Sequence, residues 1–149
     1  MSTVQKVARS NAGLAAELRI SVMRLRRRLS NERHPDNELS LGAMAVLGCL
    51  HRNGELTVGE LAGHERVQPP SMTRTVNCLE EGGYVTRRPH DTDGRQVVVA
   101  LSARGRDVVL ADRARRDAWL AQGLMDLTAE ERAVLRKAAP ILEQLAQKD

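Results

Sequence analysis

A change of hydrophobic period at Gly82-Gly83 is the feature that most constrains the fold of this chain. Before this pair, apolar residues recur at helical spacings. After it, Tyr84 to Arg88 and Gln96 to Leu101 alternate as strands do, and the loop between them contains the turn-forming pair Asp93-Gly94. The pattern predicts a mainly α-helical protein with one small β-hairpin, and this hairpin is the only β-structure that we expect.

Three short helical units with recognisable start motifs precede the hairpin. A cap residue, a capping box and a proline pair each deal with the backbone N–H groups that lack partners in the first turn of a helix. The expected helices run from Leu41 after Ser40 to about His51, from the Thr57/Glu60 capping box to about His64, and from Pro69-Pro70 to about Glu81.

Longer helices are expected on either side of this central region. Residues 1–33 carry a single apolar stripe, and residues 31–38 then form a connection. Ser102 begins a helix that reaches about Gly123, and Thr128 with Glu131 forms a second capping box for a last helix. Pro140 is expected to kink that last helix. The stripe residues are Leu14, Leu18, Val22, Leu25 and Leu29 in the first helix and Leu135, Ala138, Leu142 and Leu145 in the last.

Composition excludes several classes of function. With 149 residues the chain suits one domain with a sizeable core, and it has no Phe, one Trp and one Tyr. Stacking of single-stranded bases on aromatic side chains is therefore not expected. Cys49 and Cys78 cannot form a disulfide framework, and we expect both to be buried and inert rather than redox-active. No apolar run is long enough for a membrane span or a signal peptide, which indicates a cytoplasmic protein.

The residue patterns of common enzymes and metal proteins are also missing from the sequence. There is no Gly-rich phosphate loop, nucleophile elbow or C-x-x-C motif. The four histidines lack the spacing of a helical metal pair. We therefore expect neither catalysis nor a cofactor or metal.

The order of helix, helix, turn, helix and hairpin is that of a winged helix-turn-helix. In such a unit the N-terminal turns of the second helix of the pair enter the major groove of DNA. The segment from Gln68 to Asn77 fits this role, because it combines short polar side chains with an arginine. The polar readers are Ser71, Thr73, Arg74 and Asn77, and the residues expected to face the core are Met72, Val76 and Leu79.

Over residues 39–102 the sequence resembles the MarR family of bacterial transcriptional regulators. The resemblance lies in an ordered set of segments rather than in one motif. These segments are Leu56 to Ala62, Ser71 to Arg74, Leu79 to Val85, the wing residues Asp93-Gly94-Arg95, and Val97 to Ser102.

The resemblance implies a single MarR-like domain over residues 1–149. Residues 39–102 would form the DNA-binding lobe, and residues 1–33 and 103–149 would form dimerisation helices. The implied function is that of a nucleoid-associated homodimer that recognises a near-palindromic double-stranded operator, most often as a repressor. Family members often bind a small aromatic anion as effector, and here the pocket would be aliphatic with arginine at its edge.

The resemblance also assigns roles to individual residues. Ser71, Thr73 and Arg74 would contact the major groove, Arg95 would reach the minor groove, and Asp93 would hold the wing in place. The full set of expected DNA-binding residues is Gln68, Pro70, Ser71, Thr73, Arg74, Asn77, Arg87, Asp93 and Arg95.

Two features of the sequence allow a second interpretation, and a third departs from the usual pattern. The winged helix could serve as a protein–protein interaction module without specific DNA binding, since residues 69–101 hold four basic and four acidic side chains. The arginines at positions 24, 26, 27 and 28 could form a solvated face, which we favour, or a patch that attracts DNA. The turn from Gly63 to Val67 lacks a glycine where many helix-turn-helix proteins have one.

Overall fold

The computed structural model describes residues 9–149, so the first eight residues of the predicted N-terminal helix lie outside it. The described residues form six helices and three strands, and they divide into two compact units. Arg33–Ala114 form one unit, called the winged lobe below, and the residues up to Glu32 form the helical unit with Arg115–Asp149. The elements are α1 (Asn11–Ser30), α2 (Leu41–Asn53), β1 (Leu56–Thr57), α3 (Val58–Glu65), α4 (Pro69–Glu81), β2 (Val85–Pro89), β3 (Val97–Leu101), α5 (Ala103–Met125) and α6 (Ala129–Ala146).

The core of the winged lobe consists of aliphatic residues from every element that surrounds it. Leu47 of α2, Leu61 of α3, Val76 and Leu79 of α4, and Val99 of β3 are each no more than 1 % exposed. Burial of branched aliphatic side chains stabilises a fold in proportion to the apolar area removed from water. The winged lobe therefore acquires its core without a fully buried aromatic side chain among the described residues.

The sheet corrects the expectation of a hairpin alone. β1 pairs antiparallel with β3, through Leu56 with Val99 and Thr57 with Val98. β2 lies on the other side of β3, so the three strands are ordered β1-β3-β2. The prediction missed β1 because two residues are too few to show an alternating pattern.

The predicted helix starts are confirmed by their hydrogen bonds. The hydroxyl of Ser40 accepts the Ala43 N–H at 3.1 Å, and both capping boxes are complete, at Thr57 with Glu60 and at Thr128 with Glu131. The first helix differs, because it begins at Asn11 after the N-cap Ser10 and does not include residues 9 and 10. Pro140 lies inside α6, which continues to Ala146.

The helical unit leaves its apolar stripes exposed. Neither α1 nor α6 contains a buried residue. Leu14 and Leu25 of α1 and Leu135, Leu142 and Leu145 of α6 are between 40 % and 50 % exposed. Trp119 packs under the guanidinium of Arg28, whose central carbon lies 4.5 Å from the ring centroid. No helix in residues 9–149 is both long and apolar enough to cross a membrane.

Candidate nucleic-acid interface

α4 has one face in the core and one in solvent. Met72, Val76 and Leu79 are at most 2 % exposed, as predicted, because positions four and three residues apart lie on the same side of a helix. The residues predicted to read DNA lie on the remaining surface. Of these, Gln68, Pro70, Thr73 and Arg74 are exposed, and Ser71 and Asn77 are half-buried.

The start of α4 suits an anionic ligand. Pro69 and Pro70 have no N–H, and Gln68 makes no side-chain cap, so the positive end of the helix dipole is not masked by a capping side chain. Thr73 donates its hydroxyl hydrogen to the Pro69 carbonyl at 3.0 Å. Arg74 makes only a long contact of 3.4 Å to the Ser71 hydroxyl. The Arg74 guanidinium therefore retains donors for another partner.

Asp93 organises the loop at the tip of the wing. Its carboxylate accepts the Arg95 N–H at 3.1 Å and the Gln96 side-chain amide at 3.2 Å. The backbone N–H of Asp93 donates to His90 Nδ1 at 3.1 Å. Arg95 is exposed, and within residues 9–149 its guanidinium has no hydrogen-bond or ion-pair partner. The backbone of Arg95 is thus held in place while its charge remains available.

Arg87 differs from Arg95 because the protein itself binds its guanidinium. Nε and Nη2 donate to the two carboxylate oxygens of Glu80 at 2.9 and 2.8 Å, and Nη1 donates to Asn77 Oδ1 at 2.8 Å. The hydrogen bond between the two charged groups lowers the pKa of Glu80 and raises that of Arg87. Two predicted DNA-binding residues, Arg87 and Asn77, are therefore hydrogen-bonded to each other.

Arg88, which the sequence did not single out, is also paired. Its Nη2 lies 2.7 Å from the Glu55 carboxylate, and its Nη1 lies 3.0 Å from Asp91. These contacts connect β2 to the residue before β1, and they raise the pKa of Arg88. Since exposed ion pairs are individually weak, we infer that Arg88 helps to position β2 and contributes little to the free energy of unfolding.

A cavity of about 310 Å³ lies in the winged lobe, beside the buried carboxylate of Asp112. Asn37 donates its amide to Asp112 Oδ2 at 3.0 Å, and the His34 N–H lies 3.4 Å from Oδ1. Arg104, which also lines the cavity, donates to the Gly82 carbonyl and the Tyr84 hydroxyl, and its guanidinium carbon lies 4.4 Å from the Tyr84 ring centroid. The remaining lining residues are Asp36, Asp107, Val108 and Ala111. Asp112 was missed because its partners are distant in sequence.

The two cysteines differ in environment. Cys49 is 1 % exposed, and burial raises the pKa of its thiol, as expected for an inert cysteine. Cys78 is exposed, which corrects the prediction that both thiols are buried. It follows Asn77 on α4 and lies off the face that carries Val76 and Leu79. In the described part of the chain, no group of three or more His, Cys, Asp or Glu side chains could hold a metal ion.

Comparison with known proteins identifies the family of this chain. Residues 39–97 match the model of the MarR family. An HTH-type transcriptional regulator of Mycobacterium leprae is 44 % identical over 136 residues, which cover 91 % of this chain and 94 % of that protein. One of Mycobacterium tuberculosis is 45 % identical over 89 % of this chain and 92 % of its own length.

Solved structures agree with the sequence relatives. A transcriptional regulator of Pseudomonas aeruginosa is 36 % identical with a TM-score of 0.80, over 91 % of this chain and 96 % of that one. FabT of Streptococcus pneumoniae, solved in complex with DNA, shares the fold at 22 % identity and a TM-score of 0.68, over 89 % of this chain and 95 % of its own. The MarR resemblance and the mainly helical winged fold are confirmed. This chain belongs to the MarR family of helix-turn-helix transcriptional regulators, a family of regulators rather than enzymes.

Proposed function

We propose that this chain is a cytoplasmic, nucleoid-associated repressor that binds double-stranded DNA as a homodimer on a near-palindromic operator. The observation that carries the proposal is the pair of exposed guanidinium groups on Arg74 and Arg95, neither of which has an ion-pair partner in the described residues. Arginine donors match guanine edges in the major groove, and arginine also fits a narrow minor groove. The DNA complex of FabT supports the same use of this fold.

The proposed contacts divide between positioning and sequence recognition. Gln68 and Pro70 lie at the start of α4, where backbone dipoles favour a phosphate. Ser71, Thr73 and Arg74 follow on the same helix and would contact base edges in the major groove, as would Asn77 one turn later. Asp93 would act indirectly, by holding the backbone of Arg95 at the wing tip.

Dimerisation is proposed from the exposed stripes of the helical unit. A monomeric protein rarely leaves two long helices without any buried residue, and α1 and α6 have none. A second copy of the chain would cover these stripes and bring two winged lobes together. Half-sites about one helical turn of DNA apart would follow from the two-fold symmetry.

The proposal includes release by a small-molecule effector, for which the cavity beside Asp112 is the candidate position. Its lining carries three carboxylates, and the guanidinium of its only arginine is already bonded to Gly82 and Tyr84. These charges favour a neutral or cationic ligand over the aromatic anions expected from the family resemblance. The ligand would change operator affinity only if it binds more tightly to one of two dimer conformations, which differ in the spacing of their two α4 helices.

Selection of bound sequences from random duplex DNA tests the proposal. The native chain is expected to recover a near-palindrome, and Arg74→Ala is expected to bind it at least about tenfold more weakly. Lys137→Ala, on α6, is the matched control for loss of one positive charge. Recovery of sequence-indifferent binding alone would reject the proposal and favour a winged-helix module for protein contacts.

A further inference from the structure

The guanidinium of Arg87, on β2, is hydrogen-bonded to two residues of α4. Three of the five N–H groups of a guanidinium are occupied, two by the Glu80 carboxylate and one by Asn77 Oδ1. Fork-to-fork geometry of this kind fixes both the distance and the angle between the partners. The wing and α4 are thereby joined through side chains at the surface where DNA is proposed to bind.

The chemistry of the guanidinium determines how the Asn77 amide is turned. A guanidinium can only donate hydrogen bonds, so the atom of Asn77 that faces Nη1 must be the oxygen. The amide nitrogen, Nδ2, then points away from Arg87. Nδ2 donates no hydrogen bond within residues 9–149, so its two hydrogens are available.

The position of Asn77 on the helix makes this orientation relevant to recognition. Asn77 follows Thr73 by four residues and Arg74 by three, and side chains at these spacings share one face of a helix. The face opposite carries the buried Met72 and Val76. Asn77 is therefore beside the two residues that the proposed function assigns to base contacts.

We propose that Arg87 is a positioning residue, anchored by Glu80, that presents Asn77 to the major groove as a hydrogen-bond donor. This inference rests on the proposed DNA-binding function and specifies what one position of the binding surface recognises. A donor pairs with purine N7, guanine O6 or thymine O4, whereas cytosine offers only a donor in the major groove. At the base that Asn77 contacts, cytosine should then be disfavoured. Asn77 should also not make the two-bond contact to adenine that a freely rotating amide can make, because its oxygen is already bound to Arg87.

This role and a direct phosphate contact by Arg87 predict opposite effects of one substitution. Glu80→Gln removes a negative charge from the binding surface, so simple electrostatics predicts tighter binding to every duplex. If Glu80 anchors Arg87, the same substitution replaces the two-bond anchor with one neutral acceptor, so Arg87 holds the Asn77 amide less firmly. The ratio of specific to non-specific affinity then falls, by up to about tenfold, because one base receives its hydrogen bond from a less well oriented amide.

Glu81→Gln is the matched control, because it removes the same charge from the adjacent position of α4. Glu81 is exposed and makes no hydrogen bond or ion pair in the described structure. Binding is measured against the selected operator and an unrelated duplex over a range of salt concentrations. Equal specificity ratios for Glu80→Gln and Glu81→Gln would overturn the inference.

Asn77→Asp separates orientation from base contact. A carboxylate at this position still accepts from Arg87 but has no hydrogen to donate, so the base preference should move towards cytosine. Arg87→Lys keeps the charge and can still bind a phosphate, but it lacks the planar fork. We expect Arg87→Lys to lose as much specificity as Arg87→Met does. The salt dependence of binding by Arg87→Lys should be the same as that of the native protein.

The outcomes distinguish this inference from the function on which it rests. Native protein that selects an operator, together with an unchanged base preference in Asn77→Asp, overturns the inference alone. Full rescue of specificity by Arg87→Lys also overturns it, since a phosphate contact would then explain Arg87. Native protein that binds every duplex alike overturns both the proposed function and the inference.

Discussion

Arg66, in the turn between α3 and α4, is the described non-glycine residue with a positive φ, at φ 53° and ψ 44°. A side chain in this left-handed conformation crowds the following carbonyl and costs about 1 kcal/mol. Many helix-turn-helix proteins have glycine in this turn, and here the chain keeps the geometry with arginine. We predict that Arg66→Gly raises the free energy of unfolding by about 0.5 kcal/mol. Urea denaturation at fixed protein concentration measures this change in the free energy of unfolding. Arg66→Ala, which loses the same charge but keeps a Cβ, should show no gain, and an equal gain in both variants would contradict the explanation.

Two glycines of α5 offer a second comparison at the level of single residues. A Cβ on the buried Gly105 would lie 2.0 Å from the Tyr84 carbonyl oxygen, and a backbone atom cannot move aside cheaply. We predict that Gly105→Ala destabilises the fold by about 3 kcal/mol. A Cβ on Gly123, on the same helix, would meet no atom within 4 Å in residues 9–149 beyond its own helix backbone and chain neighbours. Gly123→Ala should stabilise by about 0.5 kcal/mol, because alanine favours a helix. Thermal unfolding of both variants tests the pair, and similar melting temperatures would contradict the packing of Gly105.

At the level of elements, the two capping boxes make stability depend on pH. The Thr57 N–H donates to Glu60 Oε1 at 3.1 Å, and the Thr57 side chain also contributes, so the pKa of Glu60 lies below its ordinary 4.5. Thr128 lowers the pKa of Glu131 in the same way. A carboxylate with a lowered folded-state pKa stabilises above about pH 4.5, and this contribution is lost as the pH falls through the folded value. We predict that the native protein has a higher free energy of unfolding than the double variant Glu60→Gln/Glu131→Gln at pH 7, and that this difference becomes smaller at pH 3. A constant difference in urea denaturation would count against it.

The same elements show how far sequence reasoning reaches. Helix boundaries at Ser40 and Thr57 were predictable because caps act within four residues. The strand β1 was not, because Thr57 serves both as a helix cap and as a pairing partner of Val98, and two residues carry no period. The exposure of Cys78 could have been deduced, since it lies off the stripe of Val76 and Leu79. The bonds of Arg87 to Glu80 could not, because they join a helix to a strand whose angle depends on tertiary packing.

At the scale of the whole molecule, charge and apolar surface are divided between the two units. Residues 1–33 hold eight basic and two acidic side chains, while residues 69–101 are neutral overall. Under the proposed function, long-range attraction to DNA would come largely from outside residues 69–101, and short-range recognition from within them. A homodimer would double both contributions. It would also place two weakly charged recognition surfaces on one DNA site, so that binding at the second half-site becomes intramolecular.

The proposed dimer depends on the apolar stripe of α6. Leu142 is 40 % exposed in the single chain, so an aspartate there costs little within the protomer but is costly once a second copy covers it. We predict that Leu142→Asp is monomeric by analytical ultracentrifugation and keeps native helicity by circular dichroism. Lys137→Asp, five residues earlier and on the other side of α6, should remain dimeric. Because the half-sites would then bind independently, operator affinity should fall about 100-fold in Leu142→Asp alone. A Leu142→Asp variant that stays dimeric with full operator affinity would show that α6 lies outside the dimer interface.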